Sequence, residues 1–321
     1  MPKFGVSFYS YQHAYRTGKL DLEGCLRALS QIPGADGVEL LATQTPPAAY
    51  PYPTRAEIEK WNELLEKYHL VPTCFDSQYP GHDLPTDPGE RETYLRSEIE
   101  YASKLGFTSM RLAIKDLPTV EKCLGYAEDH NMVLNLEIHV PMTITGKDVT
   151  EYCEMIDRTG TKFAGIQPDM AIFLHHLPQR IIDQTLFGGG DPKAVQRIAE
   201  AFAAGECMEE VCAAVKQQYP DTNLGMLPFF ATINSHPSKP EELRLIAPYL
   251  THFHAKFYEF DENLHEPYIY YEEAMGVLKE IGFDGYLCSE YEGQRMFYGG
   301  EEPDEIEQVR RNHAAMHKLL D

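Results

Sequence analysis

Eight short apolar runs, each followed by a stretch with helical spacing, limit most strongly what this chain can fold into. The runs are KFGVSFYSY (3–11), ADGVELLA (35–42), LVPTCFDSQ (70–78), FTSMRLAI (107–114), MVLNLEIHV (132–140), KFAGIQPDM (162–170), LTHFHAKFYEF (250–260) and GYLCSEYEG (285–293). Helical patterns cover 20–32, 54–69, 88–106, 119–131, 147–160, 270–282 and 303–320. Thr54 and Glu57 have capping-box spacing, and Gly106 stops the helix that begins at Pro88. Alternating strands and helices make a parallel sheet with right-handed crossovers. Eight such units close most simply into a (β/α)8 TIM barrel, an α/β fold; an open doubly wound sheet is the competitor. No G-x-G-x-x-G follows the first run, which lowers the dinucleotide-binding form of that competitor.

One interval breaks the rhythm. About eighty residues separate Met170 from Leu250, with helical patterns in DPKAVQRIAEAFAAG and MEEVCAAVKQQY and an apolar stretch, LGMLPFFATINSHP (224–237). The expectation is one barrel domain over 1–321 with an insertion of about 174–249 after the sixth strand, placed on the catalytic side as a lid or subunit contact. The alternative makes LGMLPFF one of the eight strands.

Composition narrows the partners. Net charge is −22, with 50 acidic against 28 basic residues, so phosphate backbones and anionic headgroups are repelled and neither nucleic acid nor membrane is expected. The start, MPKFGVSFYSYQ, lacks the charged and apolar regions of a signal peptide, and no apolar run approaches the ~18 residues of a membrane span. The seven cysteines include no C-x-x-C pair, which predicts reduced thiols and a cytoplasmic protein rather than a zinc–cysteine site.

The chemistry lies where such a barrel gathers it, at the C-terminal ends of its strands. Alternation puts Glu137 and His139 on one face of the fifth strand. Asp169 ends the sixth, His252, His254 and Lys256 alternate along the seventh, and Glu290 ends the eighth. Glu137, Asp169, His254 and Glu290 thus come from four strand ends. Three carboxylates in a dry cleft repel one another, and a divalent cation removes the conflict. A mixed carboxylate and imidazole set suits Mn²⁺ best, with Mg²⁺, Co²⁺ or Zn²⁺ as alternatives. Asp76, Arg111, His252 and Lys256 are candidate substrate contacts. The bland reading of each residue alone is a capped loop, an ion pair with Arg111 or, for His252, a structural role. Tyr9, Tyr11, Phe75, Phe257 and Tyr258 either stack on a sugar ring or fill the barrel, and Trp61 reads as packing.

The motifs GVSFYSY, ADGVELL, NLEIH, QPDM, HFHAKF and IGFDGYLCSEYEG resemble the xylose-isomerase-like barrel superfamily of sugar-phosphate isomerases and epimerases. In its ketose 3-epimerases the Glu, Asp, second His of H-x-H and Glu hold one divalent metal, and the two glutamates move the proton. That resemblance implies Glu137 and Glu290 as catalytic residues, proton abstraction next to a sugar carbonyl, and a metal-stabilised enediolate. Two departures stand out. Ile172 occupies the position of a usual epimerase His, for which His175 or His176 could substitute, and His139 is not the usual epimerase residue. EIH, the acidity and the long sixth loop are also similar to the catalytic α subunits of C-glycoside deglycosidases. These work with a small β subunit and cleave 3-oxo-glycosides. There His139 would be the base of a β-elimination, or a group orienting Glu137. A carbohydrate substrate is expected in either case, with a homo-oligomer for epimerisation and a β subunit for deglycosylation. A metal-free retaining glycosidase using Glu137 and Glu290 is the reading from a different class.

Overall fold

The computed structural model describes residues 1–44, 52–78 and 85–321. Its strands are β1 (Lys3–Ser7), β2 (Ala35–Leu41), β3 (Val71–Asp76), β4 (Ser109–Arg111), β5 (Val133–Ile138), β6 (Ala164–Pro168), β7 (His252–Phe257) and β8 (Tyr286–Tyr291). All pair in parallel, in the order β6-β5-β4-β3-β2-β1-β8-β7. Bridges at Ile166–Leu250 and Asp169–His254 bring β6 to β7 and close the ring. This is the (β/α)8 barrel, and the open sheet is excluded.

Outward side chains such as Val38, Leu40, Leu134, Leu136, Phe253 and Leu287 are buried against the surrounding helices. That interface is where the apolar runs spend their hydrophobicity. The residues alternating with them point inward and are polar: Glu39, Asn135, Gln167, His252 and His254 are all buried. Barrel interiors are usually packed with branched apolar side chains, so a polar interior must be satisfied by internal partners or a ligand.

Two local expectations change, and one alternative falls. β1 ends at Ser7, and Phe8–Tyr11 turns into a 3-10 helix followed by the helix Gln12–Arg16. Ser10 fixes that turn by donating to the Ser289 carbonyl (3.0 Å) and accepting from Tyr291 N (2.9 Å). The fourth run keeps only Ser109–Arg111 in the sheet, because just Met110 and Arg111 find partners on β3. LGMLPFF is not a strand: Leu227–Ile233 is a helix with Pro228 in its first turn, where proline is tolerated. It joins helices Gln179–Phe187, Pro192–Ala203 and Met208–Gln218 between β6 and β7. The Thr54–Glu57 capping box is present, and Trp61 is buried with its indole N–H on the Leu105 carbonyl at 2.9 Å. Among the described residues no helix is long and apolar enough to cross a membrane.

The β6–β7 seam carries two site residues, Asp169 and His254, and it depends on Gly165. A Cβ there would lie 2.4 Å from the Thr251 side chain, which itself donates to Asn135 Oδ1 at 2.6 Å. Gly165→Ala is therefore expected to lower unfolding stability by about 1–3 kcal/mol. Urea denaturation checks this, and an unchanged midpoint and slope would contradict it.

Candidate active site

β5, β6, β7 and β8 carry Glu137, Asp169, His254 and Glu290 to one point at the C-terminal end of the barrel. His254 Nδ1 lies 3.2 Å from Glu137 Oε1, 3.1 Å from Glu290 Oε2 and 3.8 Å from Asp169 Oδ2. All four residues are buried. His254 Nδ1 and Glu290 Oε2 have no aligned hydrogen-bond partner, and Asp169 Oδ2 has the Lys256 ammonium beside it at 2.7 Å. Orphaned buried donors and acceptors are costly, and here they face one another. Ligand atoms at about 2.1 Å from a first-row cation sit about 3 Å apart, close to the spacing seen. Glu137, Asp169 and His254 form one of the groups with the mutual reach to hold an ion. The residues therefore fit a divalent cation.

Charge supports the same conclusion. Glu39, Asp76, Glu137, Asp169, Glu290 and Glu292 are opposed by Arg111, Lys115, Lys256 and Arg295. Arg111 spans Asp76 Oδ1 and Glu137 Oε2, each at 3.1 Å, and Lys115 adds to Glu137 at 3.7 Å. Lys256 Nζ is 2.7 Å from Asp169 Oδ2 and 3.5 Å from both Glu290 and Glu292. The cations leave carboxylate charge uncompensated, and protons take up the slack. Burial alone would depress His254, but Glu290 and Glu39, with Asp169 and Glu137, hold it well above the usual histidine range. Burial likewise pushes Glu290 up, against His254 and Lys256. Burial opposes ionisation of Glu137 too, but Arg111 keeps it well below the normal carboxylate range.

Below this point His254 Nε2 meets Glu39 Oε1 at 2.9 Å and the Gln167 amide at 2.6 Å. His252 is the one proposed substrate contact that does not line the cavity. It is buried a layer lower, with Nε2 2.5 Å from Glu39 Oε2. Glu39 and Gln167 were not among the residues singled out from the sequence. Their signal was a polar residue in the middle of an otherwise apolar strand.

Above the point opens a cavity of about 480 Å³. Asp76, Arg111, Glu137, His139, Lys256 and Glu290 line one side, and Tyr9, Gln78, Tyr258, Glu292 and Arg295 join them. Tyr9 donates to Glu292 Oε2 at 2.7 Å and accepts from Arg295 at 3.1 Å. The rest of the lining comes from the segment between β6 and β7 and is mostly apolar: Ile181 with Gln184 from the helix Gln179–Phe187, and Met226, Phe229, Phe230 and Ile233 with Asn234 in and beside the helix Leu227–Ile233. Tyr11, Phe75 and Phe257 fill the fold instead. His139 sits at the edge. Its Nδ1 is 3.0 Å from the Val140 carbonyl, so Nδ1–H donates there and the neutral ring has its lone pair on Nε2. Nε2 is 3.3 Å from Lys256 Nζ and 3.8 Å from Asp169 Oδ2. His175 and His176 do not substitute for an epimerase histidine. Their backbones pair with Tyr268 outside the cavity lining, their rings touch each other, and His175 stacks on Tyr270.

The model of xylose isomerase-like TIM barrels matches residues 26–317. The chain belongs to this family. It is similar to a C-glycoside deglycosidase alpha subunit of Arthrobacter globiformis, at 24% identity covering 99% of the chain and 92% of the relative. It is similar to a 3'-dehydrocarminate deglycosidase alpha subunit of a Microbacterium species, at 23% identity covering 100% and 96%. Among solved structures a D-psicose 3-epimerase superposes with a TM-score of 0.60 at 12% identity, covering 99% of each chain. These relatives of the barrel family are sugar-processing enzymes.

Cation uptake should depend on pH with a definite sign. Without a cation the surrounding carboxylates favour the proton on His254, and that proton must leave before Nδ1 can ligate. Apparent Mn²⁺ affinity is expected to rise with pH across the neutral range, up to about tenfold per unit for each proton released. Calorimetry in buffers of different ionisation enthalpy checks this; pH-independent binding with no proton release would contradict it.

Proposed function

We propose that this chain is the catalytic subunit of a divalent-metal-dependent enzyme that removes a proton next to a sugar carbonyl and expels the C1 substituent of a 3-oxo-glycoside. The observation that carries the reading is a histidine base at the mouth of a metal-type cluster, in a cavity with one polar and one apolar side. A sugar's hydroxyls suit the polar side, and a bulky apolar substituent suits the wall of Phe229, Phe230, Ile233 and Met226. The deglycosidase relatives, aligned over nearly the whole chain, support the same reaction.

In this account Glu137, Asp169, His254 and Glu290 hold the cation, with Mn²⁺ the preferred ion and Mg²⁺, Co²⁺ or Zn²⁺ alternatives. When bound, it supplies Lewis-acid stabilisation for the negative charge that develops on the carbonyl oxygen. The chain's own groups do the rest. His139 Nε2 takes the C2 proton, with Nδ1–H anchored on the Val140 carbonyl so that the ring presents the basic nitrogen. The electron pair left at C2 forms the C1–C2 double bond. The C1 substituent departs with its bonding pair and picks up a proton. Arg111 and Lys256 orient the carboxylates beneath the sugar and offer donors to its oxygens. The alpha-subunit names of the relatives support assembly with a second subunit.

Epimerisation is the second reading, favoured by the placement of Glu137 and Glu290 on either side of His254. It requires two groups facing opposite sides of one carbon. The Ile172 position, buried and apolar, offers no polar contact there. A retaining glycosidase is disfavoured because the His254 imidazole lies between the two glutamates, 3.2 Å from Glu137 and 3.1 Å from Glu290.

The test is the protein purified from its native host with its co-purifying partner, given Mn²⁺ and an aromatic 3-oxo-C-glycoside. Release of the free aglycone is expected, abolished by EDTA and reduced about 10²–10⁴-fold in His139→Ala. Interconversion of ketohexoses with no aglycone release would overturn elimination in favour of epimerisation. Turnover that persists in chelator would overturn both.

A further inference from the structure

The buried carboxylate in the middle of β2 is used by neither the cavity nor the proposed reaction. Glu39 is fully buried at the core of the barrel, and each of its oxygens meets a different histidine of β7. Oε2 lies 2.5 Å from His252 Nε2, and Oε1 lies 2.9 Å from His254 Nε2. A carboxylate only accepts, so His252 Nε2 carries hydrogen; His254 Nε2, which lies beside Oε1 off the line of a straight hydrogen bond and 2.6 Å from the Gln167 amide, suits both neighbours as an N–H when that amide presents its oxygen. In the neutral imidazole that leaves the lone pair of His254 on Nδ1, the atom facing Glu137, Asp169 and Glu290. The opposite tautomer would set an Nε2 lone pair against a buried carboxylate at 2.9 Å and point an N–H at the cation position. Both arrangements lose.

We propose that Glu39 is a positioning residue for the metal: it fixes the tautomer and ring orientation of His254 and strengthens Nδ1 as a donor. His252 is the second anchor, holding the other oxygen so that the Glu39 carboxylate cannot rotate away from His254. This inference rests on the metal reading of the site and is independent of which sugar reaction follows. A carboxylate behind a ligating imidazole commonly governs affinity as well as geometry.

The probe is Mn²⁺ affinity, measured by competition with a fluorescent chelator on the full chain, together with the visible absorption spectrum of the Co²⁺-loaded protein. Glu39→Gln is near-isosteric but offers only one acceptor, so the pair of histidines can no longer both donate. Glu39→Ala offers none. Mn²⁺ affinity is expected to fall about 10–100-fold in each, with an altered Co²⁺ spectrum, while the metal-free Glu39→Gln protein keeps its fold by circular dichroism. His252→Phe leaves Glu39 able to hold His254, and should fall by less than Glu39→Ala. Wild-type affinity and an unchanged Co²⁺ spectrum in folded Glu39→Gln would overturn the proposal. So would two equivalents of cation in the wild type with one lost in Glu39→Gln, since Glu39 would then be a ligand itself. A wild-type protein that takes up no cation would overturn the metal reading and this inference together, which separates the two failures.

Discussion

The structure turns on one buried imidazole surrounded by carboxylates. His254 Nδ1 faces Glu137, Glu290 and Asp169, and its other nitrogen faces Glu39. So much negative charge at the floor of a partly enclosed cavity is tolerable only if something positive sits within it. Arg111, Lys115 and Lys256 supply part and remain at the flanks. A proton on His254 or a divalent cation on Nδ1 supplies the rest, and the two exclude each other. Uptake of a cation at Nδ1 would therefore release that proton.

The barrel is what makes that concentration possible. Apolar residues facing the helices provide the cohesion, so the inward positions are free to be polar. Each strand contributes one or two inward groups at a fixed level: Asn135 and Thr251 low, Glu39 and His252 in the middle, Glu137, Glu290 and Lys256 at the top. The long excursion between β6 and β7 adds what the strands cannot, an apolar wall beside a polar floor. That division of labour suits the substrate proposed above, with one hydrophilic and one hydrophobic half.

Much of this was legible in the sequence, because both signals are local. Period-two apolar runs alternating with helical spacing specify the barrel, and polar residues at strand ends specify where chemistry gathers. Glu137, Asp169 and Glu290 could be named because each interrupts an apolar pattern near the end of its run, and His254 because it belongs to the polar alternation along the seventh. What escaped depends on contacts across the barrel. Glu39 sits mid-strand in ADGVELL and reads as one charged residue among apolar neighbours; only its juxtaposition with β7 gives it meaning. His252 looked equivalent to His254 because alternation puts both on one face, but one level of the barrel separates a cavity neighbour from a buried anchor. LGMLPFF carries strand-like composition, and its helical state reflects Pro228 in a first turn and burial of Leu227 and Ala231.

The most direct test of the central claim is anomalous diffraction at the manganese edge from crystals grown with Mn²⁺. The account predicts one strong peak bounded by His254 Nδ1 and carboxylate oxygens of Glu137, Asp169 and Glu290. A peak elsewhere, or none with Lys256 remaining locked on Asp169 and Glu290, would contradict it.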